Sequence, residues 1–333
     1  MAPPERNNAI DFLRAFCVLY IVGYWHLFPY STAFPAYANY YTEGLKEIVL
    51  GAFALSSGYL LAQRDIGLSL REILSFYRRR LVRIYPLYLL AVLLFGIAGI
   101  ATPVQVTHAA LLTSMFAPPA LPTLWFITMI MFFYLAAPFL IHVSGTAKGC
   151  LLLGGGALLL FVLYHVAINP VDVRMIMYFP AFLFGIVLHR QPAVQPFLTR
   201  WCWVPIALLA PGLALSVAGN EVSIAGALSK VPFILAGASA LLVCANRFAR
   251  GAYSRAVYFV SYASFCIYLF HRVVFKYTID FYFPEDGAYQ VLYLLAFSLS
   301  ATIMLSYLAQ KAYDHGVVLA DRLVRRVTPA RGR

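Results

Sequence analysis

Charge is what this sequence has least of. Only 11% of its 333 residues are Asp, Glu, Lys or Arg while 62% are hydrophobic, against roughly 25% charged residues in a soluble domain. That scarcity excludes a water-facing surface, and the mean hydropathy of +0.79 agrees. Cysteine is also sparse and unpatterned. Cys17, Cys150, Cys202, Cys244 and Cys266 lie in or beside apolar runs with no CxxC spacing, which favours buried unpaired thiols over disulfides or metal ligands. No metal site is expected. No removable leader is expected either: "MAPPERNNAIDFLRAF" leads into a run as long as a full span, with an arginine inside it and no small-residue cleavage pattern. No sequence repeat is visible.

What is present is apolar sequence in lengths near the roughly 20 residues that cross a bilayer. Hydropathy with Pro and Gly punctuation places spans near 9–29, 44–62, 84–101, 123–143, 150–168, 174–189, 202–219, 228–246, 256–275 and 288–311. The reading is an all-α polytopic membrane protein of about ten transmembrane helices, with residues 1–333 forming one membrane domain. The piece from Val106 to Phe116, closed by "APPALP", is too short to cross and is expected to lie at the interface or re-enter.

The basic excess then finds an explanation. With a cytoplasmic N-terminus, 19 of the 25 Lys and Arg fall on the inner side, including Arg6, the group from Arg64 to Arg83, Arg250, Arg331 and Arg333. The outer segments hold Lys46, Arg174, Lys230, Arg272 and Lys276. This asymmetry predicts both termini inside and accounts for the net charge of +12 without nucleic acid.

Ionisable groups inside spans are costly and point to function. Span one contains Asp11, Arg14 and His26. Asp11 and Arg14 are three apart and share a helix face, as catalytic groups or as an interfacial salt bridge. His26, His165 and His271 fall near the outer ends of spans one, five and nine, and His142, His189 and His315 on the cytoplasmic side. An outer histidine can serve as general base, because neutral imidazole accepts a proton near neutral pH, or can be an interfacial hydrogen-bonding group. In "FYRRRLVRIYP", Arg78, Arg79, Arg80 and Arg83 precede Pro86. They fit a positive-inside anchor equally well as a phosphate cradle built on Arg80 and Arg83, three apart on one face.

Six strings occur in a characteristic order: "IDFLRAFCVLYIVGYWHL", "FALSSGYLLAQR", "FYRRRLVRIYPLYLL", "LWFITMIMFFYLAAPFL", "YFPAFLFGIVL" and "SYASFCIYLFHRVVF". In that order, with Arg14, His26, Arg80, Arg83, Pro86, Trp125 and His271 matched, the chain resembles the acyltransferase-3 family of membrane O-acyltransferases over nearly its whole length. The resemblance implies a ten-helix fold in a bacterial inner membrane and an acyl-CoA donor, usually acetyl-CoA, with no permanently bound cofactor. The implied acceptors are hydroxyls of exopolysaccharide, lipopolysaccharide O-antigen, Nod factor or macrolide. It further implies that Arg14 and His26, and Arg80 and Arg83 with Arg79 beside them, are the functional residues. His271 and Trp125 join them as second-tier site residues.

Two departures matter. Family members separate the span-one Arg and His by ten residues, and here eleven intervene. On a regular helix, twelve steps of about 100° turn the two roughly 120° apart, so a π-bulge near Gly23 is expected to restore the shared face. In the fourth span many relatives carry two glutamates where this chain has Ile130 and Met131, which leaves Asp11 or the loops as the expected source of an acidic group.

The expected mechanism puts acyl-CoA phosphates on Arg80 and Arg83 from the cytoplasm, the pantetheine arm inside the bundle and the thioester at His26, which acts as general base toward an acceptor hydroxyl from the periplasmic side or briefly carries the acyl group. Arg14 and His26 would lie roughly 18 Å apart along the helix. The rival class is a transporter or flippase for a lipid or sugar intermediate, although no pair of broken helices in matching halves marks it.

Overall fold

In the computed structural model, residues 7–117, 119–168, 171–217, 223–249 and 254–327 are described. Arg6, Arg250, Arg331 and Arg333, counted above for topology, lie outside them. The protein is 81% helical, and no strand occurs among the described residues. The helices are α1 (Asn8–Tyr20), α2 (Tyr40–Ala62), α3 (Leu70–Ile97), α4 (Pro103–Ala110), α5 (Trp125–Val143), α6 (Ala147–Ala167) and α7 (Arg174–Arg190). They continue as α8 (Val194–Arg200), α9 (Trp203–Ala207), α10 (Leu209–Val217), α11 (Ile224–Phe248), α12 (Ser254–Phe281), α13 (Gly287–Tyr293) and α14 (Ser300–Val327). Eight helical stretches among the described residues are long and apolar enough to cross a membrane. A ninth is possible where Val194–Arg200 and Trp203–Ser216 meet at 70°. The chain is a multi-pass membrane protein.

The difference from ten has a local cause. Residues 174–189 do form a helix, and α7 with its 17 residues sits at the short end of the lengths that span a bilayer. The predicted span 202–219 is broken into α9 and α10. Span three, placed at 84–101, begins instead at Leu70, where Ser69 accepts from the Glu72 amide as N-cap. The arginine run is therefore helical and Pro86 lies inside the helix rather than at its start. The predicted interfacial piece from Val106 to Phe116 is helical only as far as Ala110, because α4 starts before it, with Thr102 as cap and Pro103 at its first position. The helix stops after two turns, and Leu112 follows it with a φ of 60°.

The bundle is built around α2. A Cβ on Gly58 would lie 2.1 Å from the Phe182 carbonyl oxygen, and one on Gly185 would lie 2.0 Å from that of Leu55. The α2 and α7 backbones thus touch through two glycines, the small-residue crossing by which membrane helices pack. Between α2 and α11 the glycines play a different part: Gly51 makes room for the Ile234 side chain and Gly237 for that of Ile48. By contrast α6 buries little of its surface. The five cysteines are free thiols. Cys17, Cys150 and Cys266 are buried as the sequence suggested, but Cys202 is half-buried and Cys244 exposed, because they face away from the bundle interior.

Candidate functional site

Two cavities open in the bundle, one toward each end of α1. The first, of about 610 Å³, is lined by Arg14, Arg64, Arg79, Arg80 and Arg83, with Asp11 and Asp314 as its carboxylates. Helices α1 and α12 are stitched together at its wall. Arg14 Nη2 donates to Ser264 Oγ at 2.9 Å, and Ser261 Oγ donates to Asp11 Oδ1 at 2.9 Å. The Asp314 carboxylate accepts from the Tyr262 hydroxyl and the Gln310 amide. Arg80 reaches over the Phe76 ring, and its Nε is buried without a hydrogen-bond partner among the described residues. An unsatisfied buried donor is unfavourable, and a cavity with five guanidinium groups and two carboxylates is suited to an anion that offers several oxygens, such as phosphate. The remaining wall, with Phe53, Ile127 and Ile130, is apolar.

The extra residue between Arg14 and His26 is absorbed where the sequence places the bulge. Residues Ile21–Trp25 form a π-turn, and the His26 amide donates to the Ile21 carbonyl, five residues back. A second π-turn, Leu294–Leu299, packs against it, and a Cβ on Gly23 would meet Leu299 Cδ2 at 3.2 Å. Nothing in the sequence pattern announces this second turn, because helical periodicity and composition continue through it.

The π-turn brings His26 to His271. His271 Nε2 and His26 Nδ1 are 2.9 Å apart, and the rings lie 4° from parallel. His271 is fully buried. Its Nδ1 faces the carbonyls of Tyr268 at 2.9 Å and Ile267 at 3.2 Å. Carbonyls only accept, so Nδ1 carries the proton of the neutral ring and Nε2 is an acceptor. The His26 Nδ1–H must then donate to it, which leaves His26 Nε2 as a bare lone pair. His271, expected as a second-tier residue, is thus the direct partner of His26.

His26 lines the second cavity, of about 800 Å³, together with Trp125. Here charges come paired. Arg174 pairs with Asp172 and lies 3.8 Å over the Trp125 ring, and Lys46 lies 4.7 Å over Trp25. Lys230 Nζ meets Glu47 Oε1 at 2.6 Å with both side chains buried. This corrects the expectation that only Asp11 or the loops could supply an acidic group: Glu47 is a buried carboxylate within α2. Burial is tolerated because its cation comes from α11, a long-range pairing that no local spacing reveals. The signal was its position inside the predicted span 44–62. His165 also lines this cavity, with Nδ1 2.8 Å from the Val171 carbonyl oxygen.

The sequence-predicted residues therefore divide. Asp11, Arg14, Arg79, Arg80 and Arg83 meet in one cavity, and His26, His271 and Trp125 gather at the other. Asp11 and Arg14 are not beside His26. Tyr268, which lines both cavities, and Thr123, whose φ is 68°, were missed. One is a single aromatic among 23 tyrosines, and the other's backbone conformation leaves no mark in composition.

A family model described as an acyltransferase domain, acyltransferase 3, matches residues 7–310. No curated protein and no solved structure matches the chain.

Proposed function

This chain belongs to the acyltransferase-3 family and is a membrane acyltransferase, and we propose that it moves an acetyl group from cytoplasmic acetyl-CoA to a glycan hydroxyl on the far side of a bacterial inner membrane. The observation that carries this reading is the His26–His271 pair, whose hydrogen bonding leaves His26 Nε2 free to accept a proton in the larger cavity. In the proposed arrangement both termini and the arginine cavity face the cytoplasm and residues 1–333 act as one membrane domain. Coenzyme A phosphates bind Arg80 and Arg83, with Arg79 and Arg14 in the same cavity. The pantetheine arm runs along the apolar wall toward His26.

His26 Nε2 then takes the proton of an acceptor hydroxyl. The oxygen bonds to the thioester carbonyl carbon, the carbon–sulfur bond breaks, and His26 returns the proton to the departing thiolate. Imidazolium charge on His26 is shared through Nδ1–H with His271, whose own Nδ1–H is anchored on two backbone carbonyls. The mixed lining of the larger cavity, with Trp125 at its wall, suits a carbohydrate of the exopolysaccharide or lipopolysaccharide type. Neither a resident cofactor nor nucleic acid takes part.

Proteoliposomes loaded with acetyl-labelled acetyl-CoA provide the test. Label appearing on an external glycan, with free coenzyme A thiol left inside, is the expected result. Movement of intact glycan across the bilayer without thioester cleavage would overturn the reading in favour of a transporter.

A further inference from the structure

The two cavities are divided by three aromatic rings in mutual contact. Phe53 of α2, Phe126 of α5 and Tyr268 of α12 have centroids 6.2, 6.5 and 6.0 Å apart. Phe53 and Phe126 line the arginine cavity, and Tyr268 is the residue common to both walls among the described residues. Its ring is closed onto the opposite side of the bundle. The Tyr268 hydroxyl donates to the Thr123 carbonyl at 2.6 Å. Thr123 sits in the left-handed region, with a φ of 68°, a conformation that persists only where surroundings fix it. The fixing group is Arg272, whose Nε donates to Thr123 Oγ1. The turn 268–272 thus carries the latch and, through the Tyr268 carbonyl and His271, the relay to His26.

We propose that Tyr268 determines which nucleophile meets the acyl group. This rests on the acyl-transfer reading above. The closed ring keeps water of the histidine cavity away from a thioester held in the arginine cavity, and it turns aside to pass the thioester toward His26. Closure of this kind suppresses hydrolysis of a reactive group. Without the ring, His26 Nε2 takes a proton from water, the water oxygen bonds to the thioester carbonyl carbon, the carbon–sulfur bond breaks and the thiolate receives the proton. The products are the free carboxylic acid and coenzyme A.

The experiment measures thiol release from acetyl-CoA by the purified full chain without acceptor, together with coenzyme A affinity. For Tyr268→Ala, hydrolysis should rise about tenfold or more over wild type while affinity stays within about threefold, because water gains the thioester and the arginines are untouched. Tyr268→Phe keeps the ring and loses the latch, so its hydrolysis should fall between the two. Phe53→Ala thins the same barrier from the arginine side and should also raise hydrolysis, measured at saturating acetyl-CoA because Phe53 lies on the pantetheine wall, which keeps the test open if Tyr268→Ala does not fold. Wild-type hydrolysis in folded variants that still bind coenzyme A, beside a wild type that transfers acyl groups, would overturn the barrier alone. A wild type that neither binds coenzyme A nor transfers would overturn the acyl-transfer reading and the barrier with it.

Discussion

The two cavities share walls from α2, α5 and α12 and solve opposite electrostatic problems. Around Arg80 the protein gathers five guanidinium groups with few carboxylates and leaves one buried donor unsatisfied. Around His26 it pairs cations with anions or aromatic faces: Lys230 with Glu47, Arg174 with Asp172 and Trp125. An unbalanced site anticipates an anion that arrives from outside. A balanced one holds its charges for shape, and in the proposed reaction leaves the His26 imidazole to accept the proton. Unpaired charge marks binding here, and paired charge marks a scaffold.

The sharpest way to break this comparison is His26→Ala. Loss of a positioned general base should lower acyl transfer by about 100- to 10,000-fold, while titration calorimetry finds coenzyme A affinity unchanged, because the arginine cavity is intact. The paired side is probed by Lys230→Met. Removing one partner of a buried ion pair costs about 3–5 kcal/mol, so thermal unfolding should show a large loss of stability, much of it recovered in the Glu47→Met/Lys230→Met double variant. If Lys230→Met is as stable as wild type, the pair is not the scaffold described.

On the unbalanced side, Arg80→Ala with Arg83→Ala should weaken coenzyme A binding about 10- to 100-fold, since hydrogen bonds to charged groups contribute about 1.5–3 kcal/mol. Stability should hold or rise as like charges leave. Wild-type affinity in the folded double variant would reduce these arginines to topological anchors. The smallest effect belongs to Asp65, an exposed carboxylate held below its usual range by a hydrogen bond from Arg190. A lowered carboxylate stabilises above its ordinary titration range and loses that contribution as the pH falls through it. Asp65→Asn should thus shift the melting temperature by about 1 °C at pH 7 and not at all at strongly acid pH, because exposed pairs are weak. A large shift would show that charge pairing matters far from both cavities.

How much of this was legible depends on range. The arginine cavity was readable in part because three of its members are neighbours in sequence: Arg79, Arg80 and Arg83 lie within two helical turns, whereas Arg64 joins them from another segment, and the bulge at Ile21–Trp25 followed from counting residues between Arg14 and His26. The helical fold was equally open to hydropathy, although the break between α9 and α10 was not. What escaped lies across the bundle. Glu47 meets Lys230 at a separation of 183 residues, and Tyr268 meets Thr123 at 145. Such pairs are fixed by which helices touch, and single-chain periodicity does not encode that.

The glycine crossing between α2 and α7 bears on motion. Helix α2 supplies Ser56 and Leu60 to one cavity and Glu47 and Leu50 to the other. Where it meets α7 at Gly58 and Gly185, there is no side chain to slide or rotate out of the way. Small residues there let the two backbones approach with no intervening side chain. Helices α2 and α7 are therefore fixed against each other at this crossing. Phe53 of the barrier is carried by α2 itself, so the passage between the cavities opens by the Tyr268 ring turning against a wall that this crossing holds in place.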